Sequence, residues 1–202
     1  MRRFGGDQIL VATGNRGKMD EISALLEPFE IRVLTLADFG LGEPLETELS
    51  FVGNARIKAQ AGAQASGLPT LADDSGLTVA ALGGAPGIYT ADWAAVGSGR
   101  DFAVAMRKTW GLLEAVRAAE PQRAQFRCTL VLAWPDGHDE VFEGRVDGRI
   151  VWPMRGNGGH GYDPIFVPDG YDVTFAEMAA AVKNRVSHRA DGFRKLVAGC
   201  FT

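Results

Sequence analysis

Apolar and polar positions repeat along this chain with two different periods, and the places where the period changes mark its elements. QILVAT (8–13) is a short run of branched apolar residues and predicts a strand. After GN, the stretch KMDEISALLEPF sets Ile22, Leu25, Leu26 and Phe29 along one side of a helix, so the chain opens as a βα unit. EIRVLTL (30–36) predicts a second strand. FVGNARIKAQAGAQASG predicts an alanine-rich helix ending at Gly67, with Pro69 just beyond. LPTLADDSGL reads as a short buried strand broken at Ser75-Gly76. The strongest helical stripe runs from Asp101, a candidate N-cap, to Ala119, with Phe102, Ala105, Met106, Thr109, Leu113 and Val116 on one side. FRCTLVLAW is a strand. Asp136-Gly137 and Asp147-Gly148 are hairpin signals, so residues 126–153 are expected to form a three-stranded antiparallel meander. Two further helical segments are expected near 174–182 and from Ser187 onward. The pattern as a whole predicts a mixed α/β domain with a partly antiparallel twisted sheet flanked by helices, not a doubly wound parallel sheet.

A chain of 202 residues suits one domain, 1–202, and is long enough to bury most of its apolar surface. A formal net charge of -4 argues against a protein that grips a nucleic acid polymer through its general field, yet leaves a small anionic substrate open. No run approaches the roughly 20 apolar residues that span a bilayer, and MRRFGGDQILVATG lacks a long apolar leader core. A soluble, cytoplasmic protein is the expectation. Cys128 and Cys200 lie far apart and read as reduced thiols.

RGNGGHGYDP (155–164) holds Gly156, Gly158 and Gly161 in the order G-x-G-x-x-G. That fingerprint means dinucleotide binding only where a strand precedes it and a helix follows. Here YDPIFVP follows, and Pro164 and Pro168 forbid the helix. The glycines therefore serve another purpose.

Four stretches carry residues that are costly without a ligand. In ATGNRGKMDEI, Gly14 allows a turn and Asn15 can cap a helix whose first N–H groups attract anions. Arg16 and Lys18 fall in that first turn, where the helix dipole disfavours a cation by about 0.3–1 kcal/mol. A bound polyphosphate reverses the sign. It is not a Walker A loop, because Ala12 stands where the first glycine belongs and Met19 replaces the Ser/Thr. In LADDSG, Asp73 and Asp74 point to opposite faces of extended chain, so one can enter a site while the other braces the turn. A divalent cation would suit that acidic bend, with a second carboxylate from the loop holding Glu43, Glu46 and Glu48. In FVGNARIKA, Asn54 and Lys58 share one helix face. In KNRVSHRADGF, Ser187 can cap the last helix, which again sets cations, His188 and Arg189, at its beginning, with Lys183 and Arg185 just upstream. Each stretch alone is also compatible with an ordinary capped turn or a solvated surface. Together they compose a triphosphate–Mg²⁺ site. His138 and His160 have no second histidine at ligand spacing and are expected to be structural.

These residues resemble a known family, the inosine/xanthosine triphosphate pyrophosphatases. TGNRGKMDEI, FVGNARIKA, LADDSGL, GGAPGIY, GGHGYDPIF and KNRVSHR appear in the family's order across nearly the whole chain. The resemblance implies a two-lobed fold with the site in a central cleft, a homodimer, Mg²⁺ as cofactor, and hydrolysis of ITP, dITP and XTP to the monophosphate and pyrophosphate. By the same resemblance Thr13, Gly14, Asn15, Arg16, Gly17 and Lys18 would bind substrate, with Thr13, Asn15 and Lys18 on the phosphates. Asp74 would be the proton acceptor and a metal ligand, Glu46 the other metal carboxylate, Lys58 a catalytic cation facing the phosphates, and Ser75 a substrate contact. His160, Gly161, Tyr162 and Asp163, with Lys183, His188 and Arg189, would form the nucleoside pocket.

The chain departs from the family twice. His160 stands where the family commonly has a phenylalanine that stacks on the base. Gly53 stands where the family often has a glutamate, which removes one carboxylate near the metal. Alternative functions are pyrophosphate release from pyrimidine or modified nucleotides, and a catalytically silent nucleotide-binding regulator.

Overall fold

The apolar run near the N-terminus forms β1 (Gln8–Val11), and its neighbours on both sides are parallel to it: β2 (Arg32–Thr35) and β3 (Thr70–Val79). The structure, a computed structural model, describes residues 1–201. The parallel strands need crossovers, and helices α1 (Arg16–Leu26) and α2 (Phe51–Ser66) supply them. A two-stranded ribbon, β4 (Ala95–Val96) and β5 (Gly99–Arg100), precedes α3 (Phe102–Ala115). β6 (Arg123–Ala133), β7 (Asp139–Ile150) and β8 (Phe166–Pro168) follow, then α4 (Ala180–Val186) and α5 (His188–Leu196). The six long-range strands run in the order β2-β1-β3-β6-β7-β8, with β7 antiparallel to β8. The expected mixed α/β class with a partly antiparallel sheet holds.

The chain divides into two compact units that are interlaced in sequence. The first takes Met1–Asp74, Cys128–Gly144 and the chain from Arg189 on; the second takes Ser75–Arg127 and Arg145–His188.

In the first unit, strand alternation sorts side chains into two cores. Ile9, Val11, Leu71, Leu130 and Leu132 meet Ile22 and Leu26 of α1 and Phe193 and Leu196 of α5. Their strand neighbours Leu10, Ala12, Ala72, Val131 and Ala133 meet Ala55, Ala59 and Ala63, the small-residue stripe of α2. α2 ends as its sequence predicts, Gly67 closing the helix in the left-handed region at φ 70°, and its start is capped by Ser50, whose side chain accepts from Gly53 N. Cys128 and Cys200 are both buried and unbridged, and burial pushes the Cys128 thiol up to about 12.

The second unit has its own core, where Leu77, Val79, Phe126, Ile150, Phe166 and Phe175 meet Ala105, Met106 and Leu113 of α3. Asp101 caps α3 by accepting from Ala103 N, but the helix stops at Ala115, four residues short of the expected end. Arg117 turns left-handed there, at φ 50°. Asp147-Gly148 is not a turn. Both residues lie inside β7, so the expected three-stranded meander is a hairpin, β6–β7, followed by β8 from farther along the chain. Gly148 is there for clearance, since a Cβ would stand 2.3 Å from the Val167 carbonyl oxygen. Nor does β3 break at Ser75-Gly76: burial resumes at Leu77 and Val79 in phase with Leu71, and tertiary packing overrides the local signal. The helix expected at 174–182 is displaced to α4. Thr174 and Glu177 do form a reciprocal cap, but the next amides are committed elsewhere, Phe175 N donating to Phe166 O and Ala176 N to Asp163 O.

Candidate active site

The turn from β1 into α1 organises itself. Thr13 Oγ1 accepts from Asn15 N at 3.1 Å, and Asn15 Oδ1 accepts from Lys18 N at 3.2 Å, making Asn15 the N-cap. Gly14 and Arg16 are exposed, Thr13 is buried, and the first turn of α1 carries no acid. Its remaining amides form the kind of positive end that receives a phosphate.

On β3, Asp73 and Asp74 turn to opposite faces. Asp73 takes the face of Leu71, toward α1 and α5. Lys18 Nζ lies 3.1 Å from its Oδ1, and Arg189 Nη2 donates to its Oδ2 at 3.0 Å. Arg189 Nη1 donates to Glu21 on α1, so one guanidinium bridges two carboxylates. Asp73 is wholly buried. Burial alone would raise its pKa, yet Lys18, Arg189 and Lys58 outweigh burial and hold the carboxyl far below the usual range. The cations at the starts of α1 and α5 thus share a protein counter-ion, which the sequence pattern did not reveal.

Asp74 takes the face of Ala72, toward α2. Asn54 Nδ2 donates to its Oδ2 at 3.3 Å, and Lys58 Nζ lies 4.0 Å from its Oδ1. Lys58 Nζ donates to Glu46 Oε1 at 2.6 Å. Burial lowers the Lys58 pKa, but Asp73, Asp74 and Glu46 together carry it above its ordinary value. For Asp74 the balance runs the other way. Burial, aided by Glu46 and Asp73, defeats Lys58 and Lys18 and pushes the carboxyl up to about 6. Without a divalent cation beside it, Asp74 is the far more readily protonated of the two aspartates.

These two carboxylates suit a hard divalent cation. Glu46 and Asp74 offer oxygen donors around a single ammonium, and burial together with the neighbouring Glu46 and Asp73 raises the Asp74 pKa, a balance that a bound cation would relieve. Mg²⁺ characteristically takes one or two protein carboxylates and fills its sphere with substrate oxygens and water. Among the described residues, no three His, Cys, Asp or Glu side chains gather at metal-binding range.

The second unit holds its own buried ion pair. Lys183 Nζ donates to Asp163 Oδ2 at 2.6 Å, and His160 N donates to the same oxygen at 2.7 Å. Gly159 must lack a side chain, because a Cβ would stand 2.1 Å from that oxygen and the backbone is left-handed at φ 69°. The glycine run is a loop wrapped on a carboxylate, followed by the short 3₁₀ turn Asp163–Ile165 and β8, so the dinucleotide reading fails as its context predicts. His188 stacks on Phe126 with ring centroids 5.0 Å apart, and Tyr162 packs edge-on to Phe102 in the core.

Among the expected residues, the first unit contains Thr13, Gly14, Asn15, Arg16, Gly17, Lys18, Glu46, Lys58, Asp74 and Arg189, with Lys18 and Arg189 at Asp73 and Lys58 and Glu46 at Asp74. The second holds Ser75, His160, Gly161, Tyr162, Asp163, Lys183 and His188. Glu21 was missed. The only sequence signal was its place three residues after Lys18, on the same helix face.

With this geometry in place, comparison with known proteins is specific. The sequence profile of the Ham1 family matches residues 9–199. A dITP/XTP pyrophosphatase of Ruegeria pomeroyi is 62% identical over 200 residues, covering 99% of this chain and 98% of that protein. A HAM1 protein of Coxiella burnetii superposes with a TM-score of 0.86 at 36% identity, over 95% of this chain and 97% of that one. A nucleoside-triphosphatase / dITP/XTP pyrophosphatase of Mycobacterium abscessus does so at 0.74 and 39% identity, over 95% and 97%. The chain belongs to the Ham1 family.

Proposed function

We infer that this chain is a nucleoside-triphosphate pyrophosphatase that hydrolyses dITP, ITP and XTP to the monophosphate and pyrophosphate, and so clears non-canonical purines from the nucleotide pool. The observation that carries the reading is Asp74: a buried carboxylate with its pKa raised to about 6, flanked by Lys58 and oriented by Asn54. The names of the relatives support the same substrate class.

Water attacks the α-phosphorus in line, and the bond from that phosphorus to the bridging oxygen of pyrophosphate breaks. Asp74 orients the water and accepts its proton. Lys58 and Lys18 set positive charge beside the developing anion, and the α1 amides with Thr13 and Asn15 receive phosphate oxygens. Glu46 and Asp74 would hold Mg²⁺, which supplies charge neutralisation on the phosphates when bound. Gly14, Arg16, Gly17 and Ser75 complete the phosphate contacts in this reading. His160, Gly161, Tyr162 and Asp163, with Lys183 and His188, take the nucleoside. Donors fixed for a 6-oxo group leave buried groups unpaired against adenine, whose amine inverts the pattern. The same reading makes residues 1–202 one catalytic domain, acting in the cytoplasm as a homodimer.

Turnover of ITP, XTP, dITP, GTP and ATP with Mg²⁺ present and chelated is the test. Pyrophosphate release from ITP and XTP, much slower from ATP and lost on chelation, is expected. Equal rates on ATP, or no pyrophosphate from ITP and XTP, overturns the reading.

A further inference from the structure

Asn54 spends both ends of its amide. Its Oδ1 accepts from the backbone N of Glu48 at 2.9 Å, and its Nδ2 donates to Asp74 Oδ2 at 3.3 Å. The residue is 3% exposed and sits in the first turn of α2, one residue after Gly53. Glu48 belongs to the acidic loop that also carries Glu46, whose carboxylate holds Lys58. One side chain therefore fastens the loop and Asp74 to the same point. We propose that Asn54 is a positioning residue that registers the Glu46–Glu48 loop against Asp74, and that Gly53 is the clearance that lets the loop reach it. The proposal rests on the pyrophosphatase reading and names a residue that acts through Asp74 and Glu46.

The clearance is sharp. A Cβ built on Gly53 stands 2.5 Å from Glu48 Cβ and 2.7 Å from Glu48 Cγ. Positions 48 and 53 cannot both carry ordinary side chains in this arrangement. The Glu48 stem covers the start of α2 while its amide is held by Asn54. Without the Asn54 acceptor, the loop loses the hydrogen bond that sets its height over the helix. Without the donor, Asp74 loses the partner that leaves its other oxygen facing Lys58.

The amide's two ends can be cut separately. Asn54→Asp keeps an acceptor for Glu48 N but has no donor for Asp74, and Asn54→Ala removes both. A buried hydrogen bond to a charged group is worth about a tenfold to hundredfold effect in rate when broken. Both variants are therefore expected to lose that much in kcat for ITP at saturating Mg²⁺. Hydrogen exchange at the Glu48 amide should accelerate in Asn54→Ala and stay near wild type in Asn54→Asp. Gly53→Ala should raise the Mg²⁺ and ITP concentrations needed for half-maximal rate more than it lowers kcat, and adding Glu48→Gly, which removes the side chain it collides with, should restore them. Unchanged Glu48 exchange in Asn54→Ala, a kcat loss that only mirrors lost fold stability, or no rescue of Gly53→Ala by Glu48→Gly overturns the proposal. If wild-type protein released no pyrophosphate, the functional reading would fall, while Glu48 exchange would still decide whether Asn54 holds the loop.

Discussion

Two neighbouring carboxylates on β3 live in opposite electrostatic worlds. Asp73 faces α1 and α5, where Lys18 and Arg189 both touch it, and its pKa falls. Asp74 faces α2, where one ammonium 4.0 Å away is shared with Glu46, and its pKa rises to about 6. Both are buried, so desolvation alone does not separate them. The surrounding charges do: Lys18 and Arg189 in contact with Asp73, against a more distant Lys58 and two neighbouring carboxylates for Asp74. A carboxylate matched by two cations is locked as an anion and holds structure together. One left short of positive charge keeps a proton affinity near neutrality, and that is what chemistry requires.

The widest separation comes from Asp74→Asn. General-base assistance is worth about 10²–10⁴-fold, and a loss of kcat in that range is expected with nucleotide binding largely retained by calorimetry. Stability should move the other way. With a folded pKa above its unfolded value, Asp74 favours the folded state below about pH 4, and that benefit is lost as pH rises through about 6. An uncharged amide escapes the loss, so metal-free Asp74→Asn should gain on the order of 2 kcal/mol at pH 7. Near-normal turnover would remove Asp74 from the mechanism.

Asp73→Asn should do the reverse. It takes one of two carboxylate partners from the buried Arg189 and the facing carboxylate from the partly exposed Lys18, and breaking a buried pair from one side typically costs about 3–5 kcal/mol. Urea unfolding measures this directly. A variant as stable as wild type would mean that Glu21 alone suffices for Arg189 and that the two faces differ less than their geometry indicates.

Why the sequence showed one face better than the other follows from chain separation. The β1–α1 unit, the Gly67 end of α2 and the Asp101 cap of α3 are local, set by residues within a turn of each other. The opposite facing of Asp73 and Asp74 is equally local, a consequence of strand alternation. By contrast, Arg189 meets Asp73 across 116 residues and Glu21 across 168, and no periodicity announces such a pairing. The cations at the two helix starts therefore looked unpaired in sequence, although Asp73 and Glu21 answer them. Asp147-Gly148 misled for a related reason. Gly148 answers to the Val167 carbonyl, nineteen residues on, while a turn signal considers only its neighbours.

The pH dependence sharpens the same contrast with a smaller effect. Asp73 has a folded pKa below its unfolded one, so its stabilisation is complete above the unfolded value, about 3.9, and is lost as pH falls toward the folded value. Its size is on the order of 2 kcal/mol or more. The stability gap between wild type and Asp73→Asn should narrow from pH 7 to pH 3. A gap that stays constant across that range would show that Asp73 acts by shape and not by charge.

The smallest effect belongs to an ion pair that resembles the Asp73 cluster on paper. Arg56 Nε and Nη2 donate to both oxygens of Asp139 at 2.8 and 3.1 Å, a two-pronged fork. The Arg56 side chain is 46% exposed, whereas the Arg189 side chain is 1% exposed. Water can replace a lost partner at the surface and cannot in the interior, so exposed pairs measure about 0.2–1 kcal/mol. Arg56→Ala should therefore shift the urea midpoint by less than a third of what Asp73→Asn does, and salt should erase most of it. Equal shifts from the two variants would mean that burial is not what gives the Asp73 pairs their strength.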